Sequence, residues 1–220
     1  MRRAVLLFAA VSMLASCKLR SLQNLVSFEG EIDMSITMSL GSLGSSAIKM
    51  EMKGDKARME VAMGSVSAVS ITDASQQKMW TLMPATHQYS EMDLGAAAAA
   101  AKARSHPKPK TSAHKTGRTD KVAGYDCDVY EIDDPSGALS HSEVCLASGL
   151  SMLSLGLSGP FAAFAKDDDT WGDLLTHGFP LRFVMRDASG AQTMTMEATH
   201  IERKKIADAD FEIPAGYTKL

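Results

Sequence analysis

The chain has few cysteines and none of the short signatures that announce a reaction centre. It has three cysteines in 220 residues, no C-x-x-C and no H-E-x-x-H. A zinc site or a redox dithiol therefore lacks its usual spacing. Gly156-Leu-Ser-Gly-Pro160 lacks the glycine pattern of a nucleophile elbow. Asp167-Asp-Asp-Thr-Trp-Gly172 begins like a calcium loop, but its fifth position is Trp171 and its twelfth Gly178, neither of which offers a side-chain oxygen. The six histidines are scattered, and no solenoid-type repeat is visible. Charge of one sign is also missing. The net charge is -3, more negative still without Arg2 and Arg3, so the basic footprint of a nucleic-acid binder is absent. With 45% hydrophobic and 22% charged residues the chain is globular, not disordered or collagen-like. The sequence thus predicts a protein that is not an enzyme and needs no cofactor.

What is present begins at the amino terminus. A basic Met1-Arg-Arg3 precedes the apolar run Ala4 to Leu14, too short for a bilayer span of about 20 residues and of the length of a signal peptide. It ends in Leu14-Ala-Ser-Cys17, which resembles the bacterial lipobox. The resemblance implies that Cys17 is acylated, becomes the first residue after cleavage and holds the protein to a membrane. Several acyl chains anchor stably because each buried methylene contributes about 0.8 kcal/mol. Lys18, where an aspartate would retain a lipoprotein at the inner membrane, points to the outer membrane, facing the periplasm. The expected organisation is a signal segment over residues 1–17, a tether over 18–25 and one β-rich domain over 26–220.

With Cys17 used by the lipid, Cys127 and Cys145 remain as an even pair in an oxidising compartment. They lie in strand-like runs on either side of Asp134-Pro-Ser-Gly137, and a hairpin folded about residue 136 sets them directly opposite. A disulfide there would contribute about 3 kcal/mol in the chain-entropy model. One detail resists this pairing: Val129 shares the Cys127 face, whereas Glu143, not Val144, shares that of Cys145. A bulge or an edge position would reconcile them.

Period-two alternation dominates the rest. Ile32, Met34, Ile36, Met38 and Leu40 alternate with polar residues, Ile48, Met50 and Met52 follow on even positions, and Ala57, Met59, Val61 and Met63 on odd ones beyond the turn Gly54-Asp55. Pairing 52 with 57, 50 with 59 and 48 with 61 brings every apolar residue onto one face. Further strands are expected at 66–72, 79–83, 87–94, 121–130, 143–146, 181–186 and 192–202, with one short helical excursion inside Pro160 to His177. Residues 95–115, with six consecutive alanines and Lys-Pro repeats, read as a flexible surface insertion because Pro107 and Pro109 stop an alanine helix. The fold class is mainly β or α+β, built on an antiparallel sheet.

Thirteen of fifteen methionines lie beyond Cys17. Three uses of the face carrying Met34, Ile36, Met38, Met50, Met52, Met59, Val61 and Met63 compete. It is a core of adaptable side chains, a site for a lipid or other hydrophobic ligand, or the seat of a copper(I) site at Met50-Glu-Met52 or Met194-Thr-Met196. The expected function is a lipid-anchored, non-catalytic envelope lipoprotein with a hydrophobic ligand on this face. Its rival is an accessory lipoprotein with a closed core that acts through protein contacts.

Several segments together resemble a known family: Lys53-Gly-Asp-Lys-Ala-Arg-Met59, Ile71-Thr-Asp73 with Met79-Trp-Thr-Leu-Met-Pro84 and Tyr89, Thr116-Gly117 with Val122-Ala-Gly-Tyr-Asp-Cys127, and Phe211-Glu-Ile-Pro-Ala-Gly-Tyr217. In this order they are similar to an uncharacterised bacterial family of envelope proteins, domain of unknown function 4412. That family is in turn similar in strand order to the LolA/LolB-like lipoprotein carriers, which implies a curved sheet of half-barrel form.

Overall fold

A computed structural model describes residues 28–39, 45–63, 66–104, 111–133, 142–148, 150 and 169–220. Six strands follow one another in chain order: β1 (Gly30–Met38), β2 (Ser45–Lys53), β3 (Lys56–Met63), β4 (Val66–Asp73), β5 (Lys78–Met83) and β6 (Gln88–Asp93). After helix α1 (Leu94–Arg104) come β7 (Ser112–Val122), β8 (Tyr125–Asp133) and β9 (Ser142–Ala147), then helix α2 (Asp169–Thr176), β10 (Phe179–Arg186) and β11 (Gln192–Arg203). A 3-10 turn, Asp208–Phe211, and a two-residue β12 (Thr218–Lys219) complete the described chain.

All twelve strands form one open sheet in the order β12-β6-β5-β4-β3-β2-β1-β11-β10-β9-β8-β7. It consists of two antiparallel meanders joined by the β1·β11 ladder, in which Ile32 faces Ile201 and Ile36 faces Met196. β6 and β7, consecutive in the chain, lie near opposite ends of the sheet. The tail after β11 crosses the first meander and sets β12 parallel to β6, Thr218 opposite Gln88.

The register read from the sequence holds in β2 and β3: Met52 faces Ala57, Met50 faces Met59 and Ile48 faces Val61. Gly54 opens this turn at φ 57°, a left-handed conformation that a side chain disfavours. Other expectations change. The alanine stretch is helical over Leu94–Arg104, because alanine has the highest helix propensity and Asp93 accepts the Ala96 N–H at 2.7 Å as an N-cap. Pro107 and Pro109 lie beyond its end rather than preventing it. The single strand expected over 121–130 is divided by a turn at Ala123 and Gly124, both at positive φ, into the end of β7 and the start of β8, and β7 begins as early as Ser112 because it is an exposed edge strand with little apolar alternation to read.

The apolar face changes sides along the sheet. Across β1, β2 and β3 it carries Met34, Ile48 and Val61, and continuing that row into β4 reaches Ala68. In β4 the large apolar residues, Val69 and Ile71, point to the opposite face, where Leu82 and Trp80 are their partners in β5. That second core is closed by the tail through Ile206 and Phe211, with Tyr217 packed against it.

Candidate functional site

The methionine face is mostly interior. Met34, Met50 and Met52 are 2%, 4% and 2% exposed, and they pack in one cluster with Phe28, Ile32 and Phe183. Ile36, Met59 and Val61 are partly buried against it. Exposure appears at the far end of β1, where Met38 is 39% exposed and stands in a row with Met194 of β11 and Met185 of β10. Met63 faces Val66 at the end of the β3·β4 ladder, and its side chain lies outside the described residues, as does the whole of Cys17.

Cys127 and Cys145 are bonded, with Cα atoms 5.3 Å apart. The register is two residues away from the one expected: Val129, not Cys127, lies opposite Cys145. The bond therefore runs diagonally between strands. No bulge interrupts the β8·β9 ladder. The mismatch of faces disappears because Val144, Cys145, Leu146 and Ala147 are all buried, so both sides of β9 are covered.

The described concavity is on the opposite face of the first meander, a groove of about 530 Å³. That volume lies in the range of small-molecule sites. Its floor consists of small residues on β1 to β4, namely Ser35, Ala47, Ala62 and Ser67, and it is open because these side chains are short. One wall is apolar, from Leu82 and Pro84 and from Pro214 and Tyr217 of the tail. The other holds Asp33, Lys49, Arg58 and Glu60. Strand alternation marks these polar positions as solvent-facing, and only the tail, some 150 residues further along the chain, makes a groove of them. The repeated small residues on the polar face of adjacent strands were the available signal.

A ladder of charges fixes the polar wall. Lys49 Nζ lies 2.8 Å from Glu31 and 3.4 Å from Glu51. Arg58 pairs with Glu60 and lies 3.7 Å from Glu51. Glu31 is buried and also accepts from Lys204 Nζ at 2.7 Å. The hydrogen bonds from Lys204 and then Lys49 hold its carboxyl below the usual carboxylate range, against the desolvation that would raise it. Lys53 ties the tail down, donating to the Ile206 carbonyl at 2.9 Å and pairing with Asp208 at 3.0 Å. Asp33, in the same row, makes no hydrogen bond or ion pair through its carboxylate among the described residues.

Among the described residues there is no group of three or more His, Cys, Asp or Glu placed to hold a metal ion, and no helix long and apolar enough to cross a membrane. Of the methionine pairs considered for copper(I), Met50 and Met52 are packed in the core, while Met194 is partly buried and Met196 fully.

The fold and groove define a single-sheet β protein that buries a core on each face and carries a shallow amphipathic groove beside the second. The chain belongs to the family described as Domain of unknown function (DUF4412), whose model matches residues 28–217. No curated protein matches the sequence significantly. An uncharacterized conserved protein from Thermus thermophilus shares the fold, with a TM-score of 0.53, 10% identity, and coverage of 92% of this chain and 95% of that one. A LolA superfamily protein from Nitrosomonas europaea aligns at TM-score 0.37 and 11% identity, over 89% of this chain and 96% of its own. MucB of the Pseudomonas aeruginosa MucA/MucB complex aligns at 0.42 and 14% identity, over 84% of this chain, which spans 55% of that chain's length.

Proposed function

We propose that this protein is a lipid-anchored lipoprotein of the bacterial envelope, held at the outer membrane through Cys17, which binds a hydrophobic ligand without transforming it. The observation that carries the binding reading is the groove of about 530 Å³, walled by Leu82, Pro84, Pro214 and Tyr217. The methionine face is the alternative seat. Burial of Met34, Met50 and Met52 makes it a packed core in this conformation, so a ligand there would have to displace packing. That burial equally favours the accessory reading, a closed lipoprotein that works through protein contacts.

Two measurements test the proposal. Fractionation of cells expressing the full chain should place it in outer membranes, and Cys17→Ala should abolish acyl labelling. An unlabelled wild-type chain would remove the anchor from the proposal. Native mass spectrometry with solvent extraction of the purified chain should find an apolar ligand that Ala62→Trp, which fills the groove floor, displaces. A ligand lost instead from Met50→Ala would move the site to the methionine face, and an apo chain that also takes up no added amphiphile would favour the accessory reading.

A further inference from the structure

Building on the groove reading above, we infer that the ligand is an amphiphile with an ammonium head group, received by Asp33, and that its apolar body lies along the Tyr217 wall. The groove accounts for its other charges internally. Lys49 is engaged by Glu31 and Glu51, and Arg58 by Glu51 and Glu60. Lys204, the third cation of the ladder, is held by Glu31 and Glu202. Asp33 alone in this row has a carboxylate without a partner among the described residues. Its ladder neighbours are Lys49, which is committed elsewhere, and exposed His200 on β11.

The position of this carboxylate selects the head group. Asp33 is half-buried in the middle of β1 and lines the groove that Tyr217 and Leu82 close on the other side. A partly desolvated carboxylate gains most from a cation that brings its own hydrogen-bond donors. An anionic head would meet Asp33 and Glu60 together, and both cations on that wall are already neutralised. The small floor residues Ser35, Ala47, Ala62 and Ser67 leave room for a chain to run from Asp33 toward the tail. Charge and shape thus point to one occupant, an alkyl or aryl amine in its protonated form.

The test is isothermal titration of the purified full chain at pH 7 with three ten-carbon probes, decylammonium, decanoate and decyl glucoside, each below its critical micelle concentration. Decylammonium should bind at least tenfold more tightly than decanoate. Asp33→Asn should remove that preference while leaving decyl glucoside affinity within about threefold, and Ala62→Trp should weaken all three. Equal affinity for the three probes, unchanged by Asp33→Asn, would overturn the ammonium assignment and leave the apolar groove standing. If no probe binds, or if Ala62→Trp changes nothing, the groove reading fails as well. A thermal melt of each variant, unchanged from the parent, shows that a loss is not one of folding.

Discussion

Asp120 and Arg182 form an ion pair although they lie on β7 and β10, with β8 and β9 between them. Three strand spacings in a flat sheet would separate their backbones by about 14 Å, more than the two side chains can span. The sheet must therefore curl at this end toward the face that carries the pair. The ladder partners of Asp120 and Arg182 are Cys127 and Cys145, so the ion pair lies over the disulfide. Arg182, with the backbone N–H of Lys121, keeps the Asp120 carboxyl below its ordinary range.

The disulfide should stabilise the domain in proportion to the loop that it closes. With a sequence separation of 18, the chain-entropy model gives about 3 kcal/mol. Replacing both cysteines by alanine should lower the urea midpoint accordingly, and reductant should have no further effect on that variant. Because both sulfur positions are buried, slow reduction of the native protein is also expected.

The second core depends on the tail. Phe211 is buried against Val69, Ile71 and Leu82, and Phe211→Ala should cost about 3 to 5 kcal/mol in equilibrium unfolding. The same substitution should loosen the Tyr217 wall and weaken groove binding. Arg203→Ala, at the end of β11, would remove the cation from over the Phe28 ring, 5.1 Å from its centroid, and should cost about 1 kcal/mol.

Stability should fall in acid through Glu31. Its folded-state pKa is lowered relative to the unfolded chain, chiefly by the hydrogen bond from Lys204. The associated stabilisation is complete above the unfolded value of about 4.3 and is lost as the pH falls through the folded one. Glu31→Gln should flatten this part of the stability profile measured between pH 6 and pH 3, and an unchanged slope would mean that other carboxylates carry it.

Ser142 offers a test in the other direction. Its hydroxyl is fully buried and has no hydrogen-bond partner among the described residues. Burying an unsatisfied hydroxyl costs on the order of 1 kcal/mol or more, so Ser142→Ala should leave stability unchanged or raise it by about that amount. Destabilisation in urea melts would show that the hydroxyl is satisfied in solution.

The polarity pattern by itself determined the strands of the first meander, the β2·β3 register and the methionine face, because alternation and a glycine turn act between near neighbours. It also singled out Cys127 and Cys145, since an even pair has few other uses in the oxidising compartment that the lipobox resemblance implies. The helix over Leu94–Arg104 is legible too, because alanine propensity and the Asp93 cap act within the segment and the prolines lie beyond its end. Tertiary structure alone decided the rest. The disulfide register depends on how β8 and β9 pair within the sheet. The apolar face changes sides at β4, where the tail covers it, and the groove takes its apolar wall from Pro214 and Tyr217 of that tail. Each of these depends on segments distant in sequence meeting in space, so the residues on either side carry no local mark of the contact.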